Sequence, residues 1–491
     1  MRRFSWFTVW VIIVFIIGGA VAAAFFLRSS ADKVVSTGAA VPDKAAANPA
    51  TKSESVLNLL PTILGFSRPT TVLFLFQNNT ELRPTGGFIG AYATVRFDKG
   101  RASLLAVEGS EVLDKRTPDS WRPVPPAPIG NYLKVDRWYF RDSNWSPDFS
   151  VSALRALNFY TAEGGLASGD IDLVVAVTPT VLEALLSRIG AVTVEGLTFT
   201  PERVVETLEY NVEYGYEDRG LAFIDRKKIL APLLREVARR LAANLIFHFG
   251  EYQRLAETLL REKQVMVFAK NSEQQAIFDR GGWSGRVRSG DGDYLLWVDA
   301  NLGALKTDHA LTRTLQYSLK PLPEVGGWSA EATMAYEHRG TFDWRTSRYQ
   351  SYVRLYVPSG AALQGVFFGD DQNQVAIDST KVDQGTELGK QWFGTFIRIE
   401  PGARRRLRFA YTLSSSTTRL VEAGEYSLLV QKQSGTIAHG LTLRLDFGTT
   451  TMITAATPGE QADKWGDGVY EYSTDLSTDR DIMVTLRQPD T

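Results

Sequence analysis

The spacing of apolar and polar positions divides the chain into four stretches. Phe4 to Leu27 holds 24 residues without a charge. At about 1.5 Å per residue this is roughly 36 Å of helix, enough to cross a hydrocarbon core of ~30 Å. Residues 29–54 are small, polar and punctuated by Ala and Pro, which predicts a linker. From 55 to 300, apolar runs of strand length alternate with helical periods. From 301 to 491, short alternating runs are separated by Gly, Pro, Asp or Ser.

The third stretch predicts an α/β layered domain. Thr71-Val72-Leu73-Phe74-Leu75-Phe76 reads as a fully buried strand, and 91–97 and 102–107 as a hairpin around Asp98-Lys99-Gly100-Arg101. Residues 114–150, rich in Pro and aromatic residues, read as a long, lid-like loop. A helix follows at 150–161, with Val151, Leu154, Leu157 and Tyr160 on its apolar face. Residues 172–177 read as a strand. Thr178-Pro179 and Thr200-Pro201 read as helix starts, each Thr an N-cap and each Pro in the first turn. Helices at 225–247, kinked or delayed by Pro232, and at 251–262 precede a last strand at 264–269. The fourth stretch shows about seven strands and no helices, which predicts a C-terminal all-β sandwich.

Arg2 and Arg3 precede the apolar segment and only Arg28 follows it directly. The positive-inside rule puts the N-terminus in the cytoplasm and everything after residue 28 outside the cell membrane. The expectation is one transmembrane helix in residues 1–28, a single-pass anchor. The alternative is a cleaved signal peptide, since Ala20-Val21-Ala22 and Ala22-Ala23-Ala24 resemble cleavage sites. The 491 residues carry 54 Lys and Arg against 55 Asp and Glu, a net charge of −1, which gives no basic footprint for nucleic acid. No cysteine is present, which excludes disulfides, thiolate metal sites and Cys nucleophiles. H-E-x-x-H, G-x-S-x-G and P-loop patterns are absent.

Three polar clusters remain. The first, Phe76 to Gly90, reads FQNNTELRPTGGFIG and follows directly on the buried strand. A Gly-rich turn exposes backbone N–H groups, and Arg83 adds a planar cationic fork, which together suit a phosphate or diphosphate. Alternatively, Arg83 pairs with Glu81 or Asn79 in a structural turn. The second cluster contains Arg219 and Arg226, seven residues apart, on one face if both are helical. Two such Arg near acidic residues suit a diphosphate with a bridging divalent metal; the alternative is a solvated helix cap. The third, RDSNWSPDF at 141–149, offers Asp142 and Asp148 as oxygen ligands to a hard cation such as Mg²⁺. Its alternative is Asx-turns, with Asp148 or Ser150 capping the next helix.

The first motif, extended through 76–101, resembles the signature of a bacterial family of exported proteins, domain of unknown function 4012. Further matches are RDSNWSPDF, DANLGALKTDH (299–309), YVRLYVPSG (352–360) and LLVQKQSGT (428–436). No activity is assigned to that family. The order of features is also similar to the LytR-CpsA-Psr transferases, which move glycopolymers from lipid-diphosphate carriers to peptidoglycan. That resemblance implies Arg83, Arg219 and Arg226 as a diphosphate clamp and a polyprenyl-linked glycan or peptidoglycan as partner. This chain departs from the transferases at Glu108-Gly109-Ser110-Glu111, where they carry Arg and Asp, and in the first loop, where Asn or Glu replaces Asp. Two readings follow: binding or transfer of a lipid-diphosphate-linked glycopolymer, or a non-enzymatic envelope scaffold or adhesion protein. The second expects Arg83 to be buried and paired with carboxylate or carbonyl groups.

Overall fold

The computed structural model describes residues 60–324, 326–460 and 467–487. The expected membrane anchor and linker lie outside them. Among the described residues no helix is long and apolar enough to cross a membrane. The chain forms two compact units. The first takes the chain up to Asn78, then Phe88–Val124 and Arg137–Arg286. The second takes Asn79–Gly87, Pro125–Asp136 and Val287 onward.

The first unit is a mixed α/β layer structure. Its sheet contains β1 (Thr70–Asn78), β2 (Phe88–Asp98), β3 (Arg101–Gly109), β4 (Ile171–Val177) and, after the small hairpin β5 (Val192–Val194) and β6 (Leu197–Phe199), β7 (Val265–Ala269). The strand order is β3-β2-β1-β4-β7. β1 and β4 run parallel, and the other neighbours are antiparallel. Because side chains alternate across a strand, Val72 and Phe74 enter one core while Leu73 and Leu75 enter another. A strand covered on both faces has no reason to alternate in polarity, which is why its sequence is one apolar run.

The helices are α1 (Leu60–Ile63), α2 (Ser110–Asp114), α3 (Phe149–Ala162), α4 (Pro179–Ile189), α5 (Val204–Glu213) with a further single turn at Gly215–Asp218, α6 (Leu230–Arg261) and α7 (Ser272–Gly281). Three expectations about them are corrected. α3 buries Phe149, Ala153, Ala156, Leu157 and Tyr160, whereas Val151 and Leu154 are 37% and 50% exposed. Ala153 and Ala156 join Leu157 in the core shared with the sheet, in place of Val151 and Leu154. Thr178 stands at the N-cap of α4, but its hydroxyl donates to Gln264 Oε1 at 2.6 Å instead of accepting from the helix. α5 starts at Val204, with Thr200–Arg203 left as a turn. The two expected long helices are both present within α6 and meet at a kink at His248, where the angles are non-helical, and the first starts at Leu230, the later start that Pro232 allowed. Pro232 falls in its first turn, where a missing N–H costs nothing.

The second unit is built on two seven-stranded sheets. Its strands are β8 (Asp293–Asn301), β9 (Leu311–Pro321), β10 (Trp328–His338), β11 (Tyr349–Pro358), β12 (Ala362–Gly369), β13 (Gln374–Ala376), β14 (Val382–Glu387), β15 (Lys390–Ile399), β16 (Arg404–Thr412), β17 (Glu425–Gln431), β18 (Gly440–Asp446), β19 (Met452–Thr457), β20 (Val469–Asp475) and β21 (Arg480–Arg487). The sheet orders are β13-β12-β16-β10-β9-β18-β20 and β14-β15-β11-β8-β17-β21-β19. Leu315, Met334 and Leu407 of one sheet and Leu355, Phe393 and Val430 of the other share a single core. One helix, α8 (Ser415–Glu422), interrupts a region expected to have none. The boundary expected near 300 falls at the end of β8, a fully buried strand of this unit. The long loop 114–150 is also divided. Its residues 125–136 belong to the second unit and carry a short helix, Ala127–Leu133, whose Tyr132 stacks on Phe396.

Candidate functional site

The loop after β1 is a braced turn inside the second unit. Pro84 follows Arg83, and Gly86 adopts a φ of 125°, a backbone state open to glycine. Gly86 N–H closes the turn on the Arg83 carbonyl at 2.9 Å. Gly435 lies so close that a Cβ there would stand 2.3 Å from Gly86 Cα. Two glycines meet here because only bare backbone fits.

Arg83 is 2% exposed. Its Nη1 donates to the Asn301 carbonyl at 2.5 Å and to the Leu82 carbonyl at 3.3 Å, and its Nη2 donates to Glu81 Oε1 at 3.2 Å. The surrounding backbone is tied just as closely. Leu82 N–H donates to Asp308 Oδ2 at 3.0 Å, and Asn301 N–H to the Leu82 carbonyl at 2.9 Å. Gln433 Nε2 donates to the Arg83 carbonyl at 3.2 Å, and Asn79 Nδ2 to the Gly435 carbonyl at 3.0 Å. Three of the motifs quoted from the sequence, in 76–101, 299–309 and 428–436, therefore meet at one buried polar bracket. Their polar residues supply the donors and acceptors that buried turns require.

Behind the bracket lies an ion network that sequence reasoning missed. Arg313 donates to Asp299 Oδ2 at 3.0 Å, to Asp308 Oδ1, and to the Tyr349 hydroxyl at 3.0 Å. The Tyr336 hydroxyl donates to Asp299 Oδ1 at 2.8 Å and accepts from Trp297 Nε1 at 3.0 Å. Burial pushes the Asp299 carboxyl up against the pull of Arg313. The only sequence signal was Asp299 and Asp308 framing a turn-rich motif between strands. Their partner Arg313 sits in an ordinary alternating strand.

Arg219 and Arg226 belong to the first unit, and Arg83 to the second. Arg219 closes the C-terminal end of α5, donating to the Asn211 carbonyl at 3.1 Å and the Gly215 carbonyl at 3.2 Å. A cation there complements the helix dipole. Its Nη1 is buried and has no hydrogen-bond partner among the described residues. Arg226 donates to Glu213 Oε2 at 2.8 Å and Glu111 Oε1 at 3.2 Å, and stacks on Phe223 at 4.1 Å. Lys227 Nζ reaches Glu111 Oε2 and the Gly90 carbonyl, both at 2.5 Å. Against the cost of burial, Lys227 and Arg226 hold the Glu111 carboxyl below its usual range. The two Arg do not share a helix face, because a turn and a 3-10 segment, Phe223–Asp225, lie between them.

In 141–149, Asp148 is the N-cap of α3, accepting from Val151 N–H at 3.2 Å. Asp142 lies beside Arg141 Nε at 3.5 Å, and its carbonyl accepts from Trp138 Nε1 at 2.8 Å. Among the described residues no group of three or more His, Asp or Glu is placed to hold a metal ion. Against Phe140 and Arg141 lies a pair of carboxyls the sequence did not reveal. Glu163 Oε1 accepts from Phe140 N–H at 2.9 Å, and Asp114 Oδ2 faces Arg141 Nη1 at 3.1 Å. The remaining oxygens, Asp114 Oδ1 and Glu163 Oε2, are buried and have no hydrogen-bond partner among the described residues. Burial pushes both carboxyls up, Arg141 pulls Asp114 back, and the charge of Asp114 raises Glu163 further. Each buried carboxylate disfavours ionisation of the other, so the pair holds a proton that exposed carboxyls would release.

No curated protein matches the chain. Among solved structures, a protein described as nutrient-binding from Legionella pneumophila is 12% identical, overlaps 40% of this chain and 71% of its own, and gives a TM-score of 0.27. The leukotriene A4 hydrolase of Saccharomyces cerevisiae is 8% identical over 36% of this chain and 29% of its own, with a TM-score of 0.22. A two-domain M1 zinc metallopeptidase bound to L-tryptophan is 12% identical over 36% of this chain and 43% of its own, with a TM-score of 0.21. Overlaps this slight show no shared fold. Residues 67–212, which span the first signature motif and the paired carboxyls, match the family described as "Protein of unknown function (DUF4012)".

Proposed function

We propose that this is a membrane-tethered, extracytoplasmic envelope protein that binds a wall glycan without transforming it. The carrying observation is the state of Arg83. Its guanidinium is buried and spent on two carbonyls and one carboxylate of its own unit. A diphosphate clamp needs a fork open to its ligand; this one is a brace. Arg226 is likewise held between two carboxylates, which an anion would have to displace. The charge-free run 4–27 supports the tether.

One observation favours the lipid-diphosphate reading, with its distant likeness to the glycopolymer transferases. Arg219 has no carboxylate within ion-pair distance among the described residues, and one of its nitrogens is unbonded. One guanidinium on a helix end is a weak basis for phosphotransfer, which needs charge stabilisation from several sides. The test places the full chain in nanodiscs with purified cell-wall sacculi and a polyprenyl-diphosphate-linked glycan. Co-sedimentation with sacculi and no release of free polyprenyl phosphate is expected. Protein-dependent release of that product overturns the reading.

A further inference from the structure

A pocket of about 230 Å³ opens in the second unit between the Arg288–Gly292 turn, the start of β15, and strands β17 and β21. Its walls include Lys390, a residue only 4% exposed. The Lys390 amine lies 4.0 Å above the centre of the Tyr294 ring and makes no hydrogen bond among the described residues. Burial pushes the amine down, against the pull of Asp293 and Asp291. The residue is buried along its stem, whereas the amine is not among the buried unpartnered atoms, so its N–H donors open into the pocket and a methionine of similar length would keep the packing. The other charges here are already spent. Arg288 binds Asp481 through two bonds of 3.0 and 2.9 Å. Asp293 accepts from Tyr294 N–H at 2.7 Å, from the Tyr426 hydroxyl at 2.6 Å and from the Tyr317 hydroxyl. This leaves Lys390 as donor and the exposed carboxylate of Asp291 as acceptor, both lining one pocket.

Resting on the glycan-binding reading above, we propose that this pocket is a saccharide subsite, in which Lys390 Nζ donates to ring hydroxyls and Asp291 accepts from one. Three features select that class. A donor beside an acceptor matches hydroxyls, which do both. With Arg288 cancelled by Asp481, and Asp291 and Asp293 set against Lys390, the lining offers no surplus positive charge to a fixed anion. The volume lies below the ~300–1,000 Å³ of drug-sized sites, which limits the occupant to about one pyranose ring. Leu429 and Met483 supply the apolar lining that a sugar's C–H face requires.

The test uses the full chain in nanodiscs, with N-acetylglucosamine as probe, sodium acetate as the anion control, and saturation-transfer NMR as readout. The wild type is expected to show saturable sugar binding. Lys390→Met should weaken it by roughly tenfold or more, which is 1.4 kcal/mol, while melting no earlier than wild type. Asp291→Asn, on an exposed turn, serves as a second variant should Lys390→Met fail to fold, and should also weaken binding. The proposal is overturned if the wild type shows no saturable sugar signal, if acetate binds and the sugar does not, or if the folded variants bind as wild type does. Wall co-sedimentation that persists after loss of the sugar signal would confine the failure to this pocket. Absence of co-sedimentation in the wild type would remove the broader reading as well.

Discussion

Arg83 Nη1 donates to the carbonyl of Asn301, 218 positions further along the chain, at 2.5 Å. One cationic fork thus fixes a turn that follows β1 to the end of β8. Removing it leaves a buried carbonyl short of its charged donor and takes a cation away from Glu81. Arg83→Met should lower the unfolding free energy by about 2–4 kcal/mol. Arg83→Lys should recover less than half, because one ammonium cannot replace a planar fork that reaches three acceptors. Chemical denaturation followed by tryptophan fluorescence measures both. Wild-type stability in Arg83→Met would contradict the bracing role.

The Arg313 network gives a different signature. Arg313, Asp299 and Asp308 are all buried, so deleting the cation strands two carboxylates. Arg313→Met should cost about 3–5 kcal/mol. Adding Asp299→Asn and Asp308→Asn should return part of that loss, since an uncharged amide at 299 can still accept from the Tyr336 hydroxyl, and one at 308 from Leu82 N–H, without a counter-charge. A triple variant less stable than the single one would contradict this account.

The Asp114–Glu163 pair sets a pH dependence whose sign is fixed by burial. Both carboxyls titrate higher in the folded chain than in the unfolded one. Above the ordinary carboxyl range near ~4, the folded state holds a proton that the unfolded state has released. The pair's contribution is therefore complete below that range and is lost as pH rises through the folded values, by at most about 1.4 kcal/mol per pH unit for one such proton. Glu163→Gln places a permanent N–H donor against Asp114 and should flatten this slope. Denaturation midpoints from pH 5.5 to 8.5 test it, and an unchanged slope in Glu163→Gln would show that the pair holds no such proton.

Asp148 is spent on the N-cap of α3. Asp148→Ala should cost about 1 kcal/mol, and Mg²⁺ or a chelator should leave the wild-type melting temperature unchanged. A Mg²⁺-dependent rise that Asp148→Ala abolishes would restore the metal reading.

Features encoded by local pattern were legible in the sequence. The apolar run of β1 announced a strand covered on both faces, Asp98–Arg101 announced the β2–β3 hairpin, and Asp148 before α3 announced a cap. What failed was long-range. Nothing in FQNNTELRPTGGFIG says that residues 79–87 join a different unit from the strands on either side, because their partners, Asn301, Asp308 and Gln433, are hundreds of positions away. The polar edge strand β14 has too little alternation to announce itself. Half of the apolar face of α3 was misread: Leu157 and Tyr160 are buried as expected, but Val151 and Leu154 outrank Ala153 and Ala156 in hydrophobicity and yet lie outside, because close approach to a sheet favours Ala. The Asp114–Glu163 pair left no trace, since isolated carboxyls read as solvated until burial brings them together.

The most direct measurement of the central claim is titration of the full chain in nanodiscs with a polyprenyl diphosphate, in wild type and in Arg83→Gln. An internal brace predicts no difference in lipid binding between the two proteins, with Arg83→Gln melting earlier. Saturable diphosphate binding by the wild type, lost in an Arg83→Gln protein that melts normally, would make Arg83 a ligand-facing cation and contradict the account.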